Sequence, residues 1–377
     1  MRVALCVSGH GFGHAVRSAT VGQEVLARGH ELLVRTDAPA WLFPSGARVL
    51  PSPGWPLDVG VAQYDGLELD IDETRRRWAA FDADFEVRAR TEARQLAEAG
   101  ADVVLGDVPP LAFAAAAEAD IPSLAMTNFG WDWIYAAWPG FERPVRRIQS
   151  AYARADALLR LPLHDAAANA FSAFRRVLDV PLVARPVGPS RVADMRGRLA
   201  LPDGRPAVLL SFGGFDVGRL DLGALGRWRD YLFLVTPPVS VPAELPDNVR
   251  VLPRVGLDYV ALIAACDAVV TKPGYGIAAD CLANRVPVLY TDRGPFREYT
   301  ALVEGLERLG PARYVPSDEV RRGWLGPHLG ALLAQPRRWL PLRLDGASVV
   351  VDHLARFVPG APPSERPPAV AGAAVQR

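Results

Sequence analysis

Two histidines stand among the glycines of Ser8-Gly-His-Gly-Phe-Gly-His14, between the apolar run Val3–Val7 and an amphipathic run, Ala15–Arg28. Glycines at such a strand-to-helix turn let the backbone approach a ligand and start the helix tightly. A histidine there stands beside a helix N-terminus, which disfavours its charged form, and neutral imidazole is what a general base needs. His14 is read as that base. His10 and Gly11 are read as lying on the acceptor side. The plain alternative is that either histidine only caps the turn or the helix. A base works better when a carboxylate fixes its tautomer and stabilises the imidazolium. Asp107 follows the strand-like Val103-Val-Leu-Gly106 and precedes Pro109-Pro110, so it can partner His14 or merely cap the next helix.

Only one of the 42 Lys and Arg residues is a lysine, Lys272, in Val269-Val-Thr-Lys-Pro-Gly-Tyr-Gly-Ile-Ala-Ala-Asp280. In a chain that uses arginine for nearly every positive charge, a retained lysine suggests a need for a compact ammonium rather than a planar fork. It follows an apolar run and precedes Gly274, Gly276 and a helix-like stretch, where an α/β protein would hold an anion. Ser211-Phe-Gly-Gly214 follows another strand-like run, and Gly213 and Gly214 would bring amide groups to a phosphate. Together the two loops suggest a diphosphate held between amides and an ammonium. Asp280 can accept ribose hydroxyls or be a solvated helix carboxylate. Arg293 and Glu298 lie on the loop after the next strand.

Thr127-Asn-Phe-Gly-Trp-Asp-Trp-Ile-Tyr135 gathers aromatics with Asn128, Trp131 and Asp132. It can wall an acceptor pocket or form an aromatic core under a loop. Asp37 ends the second strand, where a dinucleotide's ribose acid would sit, but the first turn is GxGxG and not GxGxxG. Arg143, Arg146 and Arg147 beside Trp138 and Phe141 sketch an apolar-basic patch for a lipid acceptor, or an ordinary arginine-rich face.

Alternating elements must position these residues. Val3–Val7, Glu31–Arg35, Asp102–Leu105 and Pro122–Met126 read as strands, Ala15–Arg28 and Leu111–Glu118 as helices. Arg75–Ala99 reads as one long helix with Trp78, Phe81, Phe85 and Val87 among its apolar residues. After a Pro/Gly-rich stretch the rhythm restarts, with strands at Ala207–Ser211, Tyr231–Thr236, Val249–Leu252, Ala268–Thr271 and Val286–Tyr290. Leu257–Ala265 and Ser348–Phe357 read as helices. This is an α/β chain of two doubly wound Rossmann-like halves facing across a cleft. The expected boundaries are an acceptor domain at 1–186, a linker at 187–206, a donor domain at 207–345, a C-terminal helix at 346–359 and a disordered tail at 360–377.

A length of 377 residues fits two domains, and 50% apolar residues suffice for a core in each. Forty-two acidic against 42 basic residues argue against nucleic acid as a partner. No 18-residue apolar run and no signal-peptide pattern occur, so the expected location is cytoplasmic, with at most peripheral membrane contact. Cys6, Cys266 and Cys281 are spaced for neither a metal nor a disulfide framework.

In combination these motifs resemble GT-B glycosyltransferases of the family 28 type, that of the lipid-linked N-acetylglucosaminyltransferase of peptidoglycan synthesis and the diacylglycerol sugar transferases. Thr271-Lys272-Pro273-Gly274 and Asp280 match that family's donor loop and ribose acid. A closer likeness is to the glycosyltransferase-like N-terminal region of plant-type L-arabinokinases, carried by Gly9–His14, Asn128–Tyr135 and Lys272–Gly276. No second glycine/serine phosphate loop follows residue 300, so kinase activity is not expected of these residues. The resemblance implies His14 as acceptor-activating base with Asp107 as its partner. It implies Gly213, Gly214, Lys272, Gly274, Gly276 and Asp280 as the nucleotide-sugar site, with Arg293 and Glu298 facing sugar or phosphates. No cofactor or metal is implied, because helix N-termini and Lys272 would offset the leaving diphosphate's charge. The partners implied are a nucleotide sugar, most simply a UDP-sugar, and a small-molecule, glycan or lipid acceptor. Ile277 and Ala279 replace the family's hydroxyl residues and Asp280 its glutamate. Those departures keep a non-catalytic nucleotide-sugar binder open. A further reading is an epimerase or hydrolase on the same fold, which would need several carboxylates around the sugar and has Asp107, Asp132 and Glu298 as candidates.

Overall fold

A computed structural model describes residues 1–64, 68–166, 170–212, 220–253 and 256–358. The first half runs β1 (Arg2–Val7), α1 (Phe12–Ala27), β2 (Glu31–Thr36), β3 (Arg48–Val49), the antiparallel pair β4 (Ala62–Gln63) and β5 (Leu69–Asp70), α2 (Ile71–Ala83) and α3 (Phe85–Glu98). It continues with β6 (Val103–Asp107), α4 (Pro110–Glu118), β7 (Ser123–Thr127), α5 (Trp131–Tyr135), α6 (Glu142–Tyr152), β8 (Ala157–Arg160) and β9 (Val177–Asp179). A seven-stranded parallel sheet is ordered β3-β2-β1-β6-β7-β8-β9. Residues 3–7 are buried, as are all of β6 and β7, which is why the strands read as unbroken apolar runs.

The second half runs α7 (Pro189–Arg198), β10 (Ala207–Leu210), β11 (Leu232–Val235), β12 (Val249–Val251), α8 (Tyr259–Ala265), β13 (Ala268–Thr271), α9 (Tyr275–Ala283) and β14 (Val288–Tyr290). Then come α10 (Glu298–Leu309), β15 (Ala312–Tyr314), α11 (Ser317–Arg321), α12 (Gly326–Leu333) and α13 (Gly346–Phe357). Its six-stranded parallel sheet is ordered β12-β11-β10-β13-β14-β15. Strand order reverses beside β1 in one sheet and beside β10 in the other. Ligands of open α/β sheets bind at such switch points, so the topology sets both glycine loops at binding edges.

The two halves are interlocked. Phe296, on the loop before α10, is buried among residues of the first half, edge-to-face with Phe129 at 6.0 Å and stacked on His10 at 6.2 Å. Beside it Arg297 donates to the Trp133 carbonyl at 3.1 Å and lies over the Trp133 ring at 4.4 Å. The last helix, α13, returns to α1, where Arg28 bonds Asp352 at 2.6 Å and the Ser348 hydroxyl at 2.6 Å.

Several expectations need revision. The helix expected over 75–99 is two helices, because Asp84 leaves the helical conformation at φ −113°, ψ 13°. The buried positions Trp78, Phe81, Phe85, Ala89, Ala93 and Leu96 keep a helical spacing through the break, so periodicity conceals it. Val87 is 54% exposed and not part of that face. The stretch expected as a linker contains α7, which buries Met195 against Ala261 and Ala265 of α8. Strands β3, β4, β5, β8, β9 and β15 are additional to those expected from sequence. The tail 360–377 lies outside the described residues.

Candidate functional site

The turn after β1 places His14 in the first turn of α1, whose N-cap is Gly11 at φ 72°. That positive φ is where glycine costs least. His14 Nδ1 lies 2.8 Å from Asp107 Oδ1. Asp107 ends β6, and since β1 and β6 pair in register, Val7 opposite Asp107, the two meet at one sheet edge. The contact decides the tautomer. A carboxylate cannot donate, so in the neutral ring the proton sits on Nδ1 and the lone pair on Nε2, in a residue that lines the pocket. Burial alone would raise the Asp107 carboxyl, but the neighbouring Arg17 and His14 overrule it and hold it down to about 2. Asp107 does not cap α4, whose N-cap is Pro109 with no side-chain bond.

His10 is held differently. Its Nδ1 accepts the Val61 N–H at 3.2 Å, and its ring stands edge-on to Trp131 at 5.2 Å. Burial foremost, then the charges of His14, Arg293 and Lys272, push it well below its ordinary value. With Nδ1 accepting, the neutral ring keeps its proton on Nε2. His10 is therefore arranged as a donor and not as a second base.

On the opposite wall β13 leads through Lys272 to α9, capped by Gly274 with no side-chain bond. Lys272, Gly274 and Gly276 line the same pocket of about 500 Å³ as His10, Gly11 and His14. Neither α1 nor α9 has a side-chain cap, so two helix N-termini turn uncapped N–H groups towards one cavity. Such ends attract anions. Gly276 also abuts the other half: a β-carbon there would lie 3.5 Å from Gly13 Cα. Ser211 and Phe212 line the pocket too, Ser211 Oγ lying 2.7 Å from the Tyr259 hydroxyl. Gly213 and Gly214 fall outside the described residues.

Asp280 is not a solvated helix carboxylate, being 2% exposed. It lines the pocket and takes the Arg185 backbone N–H at 3.3 Å and its Nη2 at 2.5 Å. Burial raises its carboxyl, and Arg185 offsets that in part. Arg293 and Glu298 both line the pocket and pair with each other at 2.7 Å. Ile277 lines it as well, with an alkyl surface where the resembled family carries a hydroxyl.

The aromatic segment divides. Phe129 lines the pocket, while Trp131 is wholly buried, stacking on Tyr135 and donating to Asp58 at 2.8 Å. Asn128 and Asp132 are also buried and do not line the pocket. Asn128 instead bonds Arg17 and Glu298. Burial lifts Asp132 to about 6. For these three the core reading describes the structure better than the wall reading. The apolar-basic patch does not form: Trp138 and Phe141 are buried, and Arg143 and Arg147 pair with Asp82 at 2.7 and 2.8 Å. Asp37 is paired at 3.6 Å with Arg35 and does not line the pocket. Among the described residues no cluster of three or more His, Cys, Asp or Glu could hold a metal, and no helix is long and apolar enough to cross a membrane. The three cysteines are buried and unpaired.

Sequence reasoning missed Arg17, Asp58 and Arg185. Arg17 had a readable signal, standing three residues after His14 and so on the same helical face. Arg185, which lines the pocket, and Asp58, which is buried behind it against Trp131, had none, since only the fold brings them there. Phe12 and Trp41, edge-to-face at 5.9 Å, were missed as well. They wall the mouth of the pocket, where Trp41 is 61% exposed.

No protein-family model matches the chain. Over 321 residues, 81% of its length, the chain is 35% identical to an L-arabinokinase from Arabidopsis thaliana, of which it spans 29%. That agrees with the likeness read from its motifs. Among solved structures it is similar to the glycotransferase of kitacinnamycin, with a TM-score of 0.58 and 18% identity, covering 95% of this chain and 94% of that one. It is similar also to Arabidopsis thaliana UGT89C1 complexed with UDP-L-rhamnose, with a TM-score of 0.58 and 16% identity, covering 96% and 95%. At such identities the likeness is one of fold.

Proposed function

We propose that this chain, whose two facing Rossmann-like halves make the GT-B fold, transfers a sugar from a nucleoside diphosphate, most simply UDP, to a hydroxyl-bearing acceptor. The observation that carries the reading is one pocket joining a carboxylate-held imidazole on one wall to an ammonium and an uncapped helix N-terminus on the other. The UDP-L-rhamnose bound by the similar fold of UGT89C1 supports the same class of donor.

In this reaction His14 Nε2 takes the proton of the acceptor hydroxyl as its oxygen bonds to the anomeric carbon. The bond from that carbon to the diphosphate breaks with its electron pair. The leaving nucleoside diphosphate is met by Lys272 and the N–H groups at the start of α9, a task that needs no metal. Asp107 stabilises the imidazolium that forms. Asp280 serves the ribose, and Arg293 with Glu298 faces the sugar or the phosphates. The acceptor enters past Phe12 and Trp41, a mouth suited to a partly apolar molecule.

A panel of UDP-sugars tests this, with purified protein, EDTA and candidate acceptors. UDP release that depends on acceptor, survives EDTA and drops by roughly 10²–10⁴-fold in His14→Ala supports the proposal. UDP binding without release favours the non-catalytic binder that Ile277 and Ala279 suggest. Free sugar or an epimer without acceptor favours hydrolysis or epimerisation.

A further inference from the structure

We infer that Arg17 is a positioning residue of this site: its guanidinium orients Asp107 so that His14 presents a bare Nε2 to the pocket, and it ties that pair to the donor loop across the cleft. This rests on the reading of His14 as the base. Arg17 is 2% exposed on α1, one turn beyond His14. Its Nε donates to Asp107 Oδ2 at 2.7 Å and its Nη2 to Oδ1 at 2.5 Å, a two-point grip that leaves the carboxylate no freedom to turn. Ser18 adds a donor to Oδ2 at 2.9 Å. With that plane held, Oδ1 faces His14 Nδ1. Arg17 Nη2 also lies 3.0 Å from that nitrogen, but a protonated Nδ1 cannot accept from it, so the Asp107 bond sets the ring.

The other end of the guanidinium reaches towards the donor side. Nη1 donates to Asn128 Oδ1 at 2.7 Å, and Asn128 Nδ2 donates to Glu298 Oε1 at 2.7 Å. Arginine cannot accept and a carboxylate cannot donate, so the Asn128 amide has one permitted orientation. Glu298 Oε2 takes Arg293 Nη1 at 2.7 Å, and the same nitrogen donates to the Pro273 carbonyl, next to Lys272, at 3.1 Å. The guanidinium also lies 4.7 Å from the Tyr275 ring centroid on α9. A buried chain of charge-assisted bonds thus runs from the base to the backbone of the donor loop. Displacing such a group by about 1 Å can cost roughly 10²-fold in rate.

Histidine-ring ¹⁵N NMR above the titration range reads the tautomer directly, with the His14 signals assigned by their loss in His14→Gln. Wild type should show a protonated Nδ1 and a bare Nε2. Arg17→Gln should move His14 towards the Nε2-protonated tautomer of free imidazole. It should also lower kcat by roughly 10²-fold while KM for the nucleotide sugar changes less than about threefold. A folded Arg17→Gln that keeps the wild-type tautomer overturns the inference. If that variant does not fold, Asn128→Leu, which cuts the chain beyond Arg17, should give a mixed tautomer, and an unchanged one overturns the inference equally. The spectrum needs no turnover. A tautomer change in a protein that transfers no sugar therefore counts against the proposed function and not against Arg17.

Discussion

Arg185 reaches from the segment that joins the two halves to Asp280 on α9, giving its Oδ1 a backbone N–H and a side-chain Nε, each at 3.3 Å, and its Oδ2 the Nη2. A carboxylate offers about four acceptor positions, so roughly one remains for a ribose hydroxyl. The acid read as a nucleotide contact thus also pins the interdomain segment to the donor helix.

Arg185→Ala should therefore destabilise the protein even without ligand. Breaking a buried pair costs about 3–5 kcal/mol, and since the Arg185 side chain is 27% exposed a smaller loss, about 2 kcal/mol, is expected. Urea denaturation measures it. A variant as stable as wild type would show that the pair contributes little.

Lys272→Ala should weaken UDP binding by roughly 10- to 100-fold, the effect of one charge-assisted contact of about 1.5–3 kcal/mol. Lys272→Arg should recover only part of this, because the position is nearly buried and a fork fills space differently from an ammonium. Calorimetric titration with UDP decides. Wild-type affinity in Lys272→Ala would remove this residue from the diphosphate site.

Asp58 makes stability depend on pH. Burial outweighs its bonds to Ser8 and Trp131 and the nearby His14, pushing its carboxyl up to about 6. The unfolded value is about 3.9, so the folded state binds the proton more tightly. Stability then falls as pH rises from about 4 to about 6, with the full penalty above that. Asp58→Asn removes the penalty, at most about 3 kcal/mol, and should raise the melting temperature more at pH ~8 than at pH ~4.5. The buried His10 is common to both proteins and cancels. An equal change at both pH values contradicts the assignment.

Phe296→Ala should be costly out of proportion to its loop position. Its ring completes the aromatic core of the opposite half against Phe129 and His10, so about 3–5 kcal/mol is expected from the lost burial and the cavity. Equilibrium denaturation measures this. A loss below about 1 kcal/mol would mean the halves do not depend on this plug.

Much of this protein was legible one residue at a time. The glycine-flanked histidines, the lone lysine before Gly274 and the strand ending in Asp107 each announce themselves locally, because turn chemistry and buried parallel strands leave marks in a short window. The GT-B likeness followed from their order. The break at Asp84 was hidden because the buried face stays in phase across it. The two-residue strands β3, β4 and β5 were hidden because so short a window carries no period.

What the sequence determined by itself is the set of groups: an imidazole, a carboxylate, an ammonium and two helix starts at sheet edges. Their division of labour was decided only by the tertiary structure. Asn128 left the pocket wall to join Arg17 to Glu298, and Asp280 acquired Arg185. Phe296 crossed into the other half's core. The reason is physical: a residue's chemical type is local, whereas its hydrogen-bond partner and its burial belong to neighbours 90 to 170 positions away, and only folding brings those within 3 Å.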